Sequence, residues 1–312
     1  MGGSGGGGTF YSRTPDEARR QVRDAEDRTT VAAFESTLSK TLGDLLGTYN
    51  SRDHNLVEER LVDLKDALGS EIDGTLDQLF GGSVAKHTYV DGLSDIDSLV
   101  FVNDTSLEGK KPQTVLAKME KILKKELGTE ADVSHGRMAV TVTFRDGMVI
   151  QLLPALKTDG VHVHVPSSRT ENWSKINPVT FQAVLTKRNT ECGGKLVPTI
   201  KLAKAIVGQL PEAQRLSGYH MESLAISAFK GYDGPKTTAA MLPTFFERSK
   251  DLILSPIRDR SGQSVHVDAY LGEDNSVARQ TMSHVLGRVA RRMRNATAAG
   301  STEQWRTLFG FE

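Results

Sequence analysis

The sequence predicts an α+β fold of two lobes, a mixed sheet with helices on one face followed by a helical lobe, and three observations carry that prediction. Strand-like apolar runs are confined to the stretch before residue 176. Two of them flank Arg145-Asp146-Gly147, whose Asp-Gly step is a strong short-range hairpin signal. From Pro178 onward only helical periodicity remains. At 312 residues and 38% hydrophobic, the chain is also long enough for one core to give way to two.

In chain order, the glycine-rich start MGGSGGGGTF, assigned with residues 1–13 to a flexible arm, carries no fold signal. Thr14-Pro15-Asp16-Glu17 supplies a cap residue, a proline at the first helical position and acids in the first turn. A long helix follows through Phe34, Leu38, Leu42 and Leu45 to Tyr49, and a second runs from about Asn55 to Leu68. Thr75 to Phe80 and Ile96 to Val102 read as buried strands. Lys111 to Leu127 is helical, with Val115, Met119, Ile122 and Leu123 on one side. Met138–Phe144 and Met148–Leu153 form the hairpin strands. Helical windows then cover about 179–190, 196–210, 219–232, 237–250 and 276–299. The expected division is 14–175 for a lobe holding the sheet and both N-terminal helices, and 176–312 for the helical lobe.

Composition narrows the function classes. Lysine plus arginine equals aspartate plus glutamate at 39 each, so no global field draws the chain to nucleic acid or an anionic membrane, and strong nucleic-acid binding is not expected. One cysteine, Cys192, excludes an internal disulfide framework and a cysteine-rich zinc module, which fits a reducing compartment such as the cytoplasm. No run approaches 18 consecutive apolar residues, so no membrane span is expected.

The chemistry concentrates at Gly82-Ser83 and at Ser94-Asp95-Ile96-Asp97, the latter entering an apolar strand. Two residues apart on a strand, Asp95 and Asp97 share a face. Such a pair in a buried setting is costly unless cations neutralise it, and hard oxygen ligands suit Mg2+ or Mn2+ arriving with nucleotide phosphates. A glycine lets backbone amides approach a phosphate, and the adjacent serine hydroxyl can bond it. His162 and His164 alternate on a possible strand but lack a third ligand at recognisable spacing, and are read as surface or core histidines.

Gly-Ser followed by Asp-x-Asp resembles the signature of the DNA polymerase β-like nucleotidyltransferases, and more narrowly the bacterial relatives of cyclic GMP-AMP synthase. Ile150-Gln151-Leu152-Leu153-Pro154-Ala155 resembles their later strand, on which a third metal-binding aspartate precedes a Leu-Pro-Ala run; here Gln151 stands at that position. Thr199–Lys204 and Leu216–Glu222 resemble helical-lobe segments in which a lysine and a serine steady the triphosphate and a tyrosine stacks on the base. The resemblance places those roles on Lys204, Ser217 and Tyr219. Asp259–Ser264, His266–Asp268 and Trp305 resemble the tail of the oligonucleotide cyclases of antiphage operons.

The resemblance implies a polymerase β-like core, catalytic residues Asp95, Asp97 and Gln151, metal on Asp95 and Asp97, and triphosphate contacts from Gly82 and Ser83. It also implies a cyclic di- or oligonucleotide product, a downstream effector that responds to it, and by analogy a C-terminus (Phe309–Glu312) open to ubiquitin-like conjugation enzymes. The glutamine offers a neutral carbonyl oxygen where a carboxylate is the rule. Losing a unit charge about 4 Å from a cation forfeits roughly 4 kcal/mol at an effective dielectric of about 20. Three outcomes stay open: Asp132 or Asp146 replaces the ligand, a second metal is held weakly, or the fold senses nucleotides without joining them. An enzyme adding nucleotides to RNA 3′ ends shares the motif but should carry a basic track that the even charge balance does not suggest.

Overall fold

The computed structural model describes residues 15–49, 54–74, 76–80, 96–158, 162–167, 170–260 and 266–311. Gly82, Ser83 and Asp95 lie outside them, as do the Thr14 cap and the glycine-rich start.

The chain opens with two helices, α1 (Pro15–Tyr49) and α2 (His54–Gly69). Each buries a stripe at alternating steps of four and three residues: Leu38, Leu42, Leu45 and Tyr49 on α1, and Val57, Leu61, Leu64 and Leu68 on α2. The stripes enter different cores. That of α2 joins the sheet core, whereas that of α1 packs with Leu202, Ile206, Met241 and Leu308 of the helical lobe. The expectation that both N-terminal helices would belong with the sheet is corrected for α1, since a stripe at helical spacing says that a helix is buried without saying against what.

The sheet follows as β1 (Asp77–Phe80) and β2 (Ile96–Phe101), then helix α3 (Pro112–Leu127), then β3 (Ala131–His135), β4 (Val140–Phe144) and β5 (Val149–Lys157). The spatial order is β1-β2-β5-β4-β3, with β2 and β5 parallel and the other neighbours antiparallel. Parallel pairing requires a crossover, here α3 with the β3–β4 strands, which returns β5 to the middle of the sheet. Beyond the end of β5, the hairpin β6 (Val163–Pro166) and β7 (Trp173–Ile176) extends the sheet through the Leu156–His164 pair. Strand β6 falls on the possible strand marked by His162 and His164, whereas β3 and β7 carried too few apolar residues to be read from sequence.

One face of the sheet is sealed by α2 and α3, with Val100, Val102, Val140, Val142, Ile150 and Leu152 meeting Leu64, Leu116, Met119 and Leu123. That agrees with the expected helices on one face. On the opposite face Leu99, Phe101, Ala155 and Val165 form a smaller cluster.

The helical lobe comprises α4 (Pro178–Glu191), α5 (Leu196–Gly208), α6 (Gly218–Ala228), α7 (Thr238–Leu252), α8 (Val277–Ala298) and α9 (Thr302–Thr307). Helix α5 is buried around most of its circumference, as befits the centre of a bundle. The chain between α7 and α8 is tied down by Arg279, which is fully buried. Its guanidinium donates to Asp268 Oδ2 at 2.7 Å and to the carbonyls of Ile253, Gly272 and Glu273.

Candidate active site

The site is built from two groups of side chains. The first stands on the sheet. Because β2 and β5 pair in parallel with Asp97 opposite Gln151, the two residues are strand neighbours, on backbones about 4.8 Å apart across the ladder. The same alternation places Leu99 beside Leu153 and Phe101 beside Ala155 on this face. The row continues through Thr141 on β4 to Ser134 on β3, so a polar line crosses four strands. Asp97 and Gln151 are half-buried, and neither is without an interacting neighbour.

The two alternative carboxylates do not reach this place. Asp132 is exposed on β3, which β4 and β5 separate from β2. Asp146 sits in the β4–β5 turn and is gripped by Arg60 of α2 through bonds of 3.0 and 2.8 Å. That guanidinium also lies over the Phe144 ring at 4.0 Å, and its hydrogen bonds hold the Asp146 carboxyl below its usual range. Among the described residues no cluster of three or more histidine, cysteine or acidic side chains forms a metal site.

The second group surrounds the start of α6. Ser217 caps that helix by accepting a bond from the His220 amide at 3.2 Å. Lys204, 7% exposed, reaches across from α5 and donates to Glu222 at 2.8 Å. Its ammonium lies so near the chain that a Cβ on Gly218 would come within 3.3 Å of it. Tyr219 leans on Phe181 with ring centroids 4.6 Å apart, and its hydroxyl donates to Asp259 Oδ1 at 2.6 Å. Below them His220 is fully buried; its Nδ1 meets the Tyr270 hydroxyl at 2.8 Å, and burial pushes its pKa down to about 4. The structure thus brings Lys204, Ser217 and Tyr219 together around one helix end.

Asp259 and Arg260 also line a cleft of about 810 Å³ whose other walls include His162, Lys175, Asn177, Thr180 and Arg258. His162 and His164 occupy the β5–β6 connection and β6, half-buried, and His162 borders this cleft. Glu222, Asp259, Arg260 and Lys175 received no role from the sequence. Glu222 had a local signal, since it stands i+5 from Ser217 inside the Leu216–Glu222 segment, but its partner is 18 residues away. Cys192 is buried with its thiol pKa raised by desolvation, which makes it a packing residue.

A two-lobed α+β chain with Asp97 and Gln151 in register on its central parallel strand pair has the form of a nucleotidyltransferase. Residues 34–189 match the SMODS family, the Second Messenger Oligonucleotide or Dinucleotide Synthetase domain, and the chain belongs to that family. It is a nucleotidyltransferase of the class that makes second-messenger oligonucleotides or dinucleotides. No curated protein matches the sequence.

Solved structures share the fold. CdnC of Escherichia coli MS115-1, determined with ATP, is 18% identical with a TM-score of 0.56, over 91% of this chain and 97% of that one. The CD-NTase CdnG of Bradyrhizobium diazoefficiens, in complex with GTP, is 14% identical with a TM-score of 0.61, over 82% of this chain and 89% of that one. The cyclic AMP-GMP synthase DncV of Vibrio cholerae, in complex with a linear intermediate, is 10% identical with a TM-score of 0.60, over 95% of this chain and 89% of that one. The polymerase β-like α+β fold is therefore shared with nucleotide-bound relatives. No described helix is long and apolar enough to cross a membrane.

Proposed function

We propose that this synthetase joins nucleoside triphosphates into a cyclic di- or oligonucleotide and that Asp95, Asp97 and Gln151 form its catalytic row. The observation that carries this reading is the parallel register that seats Gln151 beside Asp97 on the sheet face away from α2 and α3. Asp97 and the Gln151 carbonyl offer hard oxygens suited to Mg2+ or Mn2+, with Asp95 as the remaining carboxylate. Such an ion, when bound, supplies charge stabilisation for the transferring phosphoryl group.

The protein's own contributions follow from chemistry and placement. A ribose hydroxyl of one nucleotide attacks the α-phosphorus of another, its proton is lost, and pyrophosphate leaves. The Asp97 carboxylate can receive that proton; the Gln151 carboxamide cannot. Lys204 and Ser217 hold the triphosphate together with Gly82 and Ser83, and Tyr219, its ring oriented by Phe181 and Asp259, borders the base. The 810 Å³ cleft is of a size that takes a nucleotide, and Lys175, Arg258 and Arg260 give it cationic walls. A second ring-closing transfer completes the product.

The finer context belongs to the same reading: antiphage signalling in a bacterial cytoplasm, an effector that binds the product, and attachment of the C-terminus by ubiquitin-like conjugation enzymes. Phe309 is buried in the helical core and is not part of an exposed tail.

The test is incubation with all four nucleoside triphosphates and Mg2+ or Mn2+, with products identified by mass spectrometry. A cyclic product from the wild type and none from Asp97→Ala is the expected outcome. Normal triphosphate binding with no product under either metal would replace this reading with nucleotide sensing.

A further inference from the structure

Lys204 poses a physical problem. Its side chain is 7% exposed and sits on the central helix of the bundle, where an unpaired ammonium would be strongly disfavoured. Glu222, itself 1% exposed, answers it with a bond of 2.8 Å from the next helix. Lys201, one turn earlier on α5, has its own pKa lowered by burial and by repulsion from Lys204. The paired ammonium ends up beside Gly218. Nζ and Cε of Lys204 lie 3.3 and 3.4 Å from the point a Cβ of residue 218 would occupy. In the first turn of α6, Ser217 satisfies the His220 amide.

We infer that Glu222 is a positioning residue for the triphosphate subsite. It holds the Lys204 ammonium against the Ser217-Gly218 bend, and Gly218 is the residue whose missing side chain leaves room for it there. This rests on the reading of Lys204 as a triphosphate contact. The geometry is a lever: α5 carries the cation, α6 carries both its counter-ion and the bend it must face, and rotation of one helix against the other would part all three. Neutralising Glu222 removes the carboxylate charge that faces the buried Lys204 ammonium, and the side chain is then drawn from the bend toward solvent.

The test is a double-mutant cycle on the full chain, reading KM for nucleoside triphosphate, kcat and thermal unfolding for Glu222→Gln, Lys204→Met and the combination. Glu222→Gln is expected to raise KM about tenfold with kcat nearly unchanged. Lys204→Met should raise KM at least as much, and the double variant no more than Lys204→Met alone, because Glu222 acts only through the lysine. Gly218→Ala should raise KM in the same way without touching either charge. A normal KM in Glu222→Gln, with only the unfolding temperature lowered, overturns the inference and leaves Glu222 a structural partner. A normal KM in Lys204→Met overturns the underlying reading of Lys204 instead. If Glu222→Gln does not fold, Glu222→Asp, which keeps the charge and shortens its reach, carries the same expectation and the same refutation.

Discussion

The two faces of the central strands are made by the same backbone and differ in almost everything else. Along β5, Ile150 and Leu152 are fully buried beneath α2 and α3, while Gln151 between them is half-buried and stands in register with Asp97. One face is a closed core with Val100, Val140 and Val142; the other carries a line of Asp97, Gln151, Thr141 and Ser134 before turning apolar at Leu99 and Leu153. Period-two alternation alone separates them. A strand can therefore give one set of residues to stability and the next to chemistry, with little interference between the two.

That separation can be broken by experiment. Leu152→Ala should cost about 2–5 kcal/mol, because it opens a cavity in a sealed layer, while leaving KM for triphosphate unchanged below the unfolding transition. Urea unfolding measures the cost; a loss under about 1 kcal/mol would mean that face is not closed. One residue away, Gln151→Asp should scarcely move stability and should raise turnover about tenfold, since the added charge is partly compensated by solvent. Steady-state product formation at fixed Mg2+ reads this, and unchanged or slower turnover would show that the carboxamide is suited to its place.

The smallest effect lies at the strand end. Removing the Arg60 grip on Asp146 by Arg60→Ala should cost less than about 1 kcal/mol, because Asp146 is half exposed. Its sign with pH is fixed. Arg60 lowers the Asp146 carboxyl below its ordinary 3.8, so the pair's contribution is present above about pH 4 and is lost as pH falls through the lowered value. Wild type and variant should accordingly converge in stability in acid; a gap that widens there would contradict the assignment.

Much of the molecule is legible in the sequence. The helices from α4 to α8 lie within a few residues of the expected windows, α9 was not expected, and the β4–β5 hairpin forms at its Asp-Gly step. The Asp-x-Asp spacing and the glutamine two residues into β5 are also visible there, because side-chain alternation is a property of the local chain. The identity of Lys204's partner is not, since nothing local marks a lysine as buried and paired. The resemblance gives Tyr219 the role of stacking on a base, and nothing local shows that its hydroxyl is bound to Asp259, 40 residues on.

The sequence by itself determined which residues would be helical and which would alternate on strands, because sterics and apolar period act over a few residues. Only the tertiary structure decided that β5 inserts beside β2, that α1 docks on the far lobe, and that Glu222 closes on Lys204. Those choices depend on which faces bury one another across long separations, and the free energy of that burial belongs to pairs of elements rather than to either one.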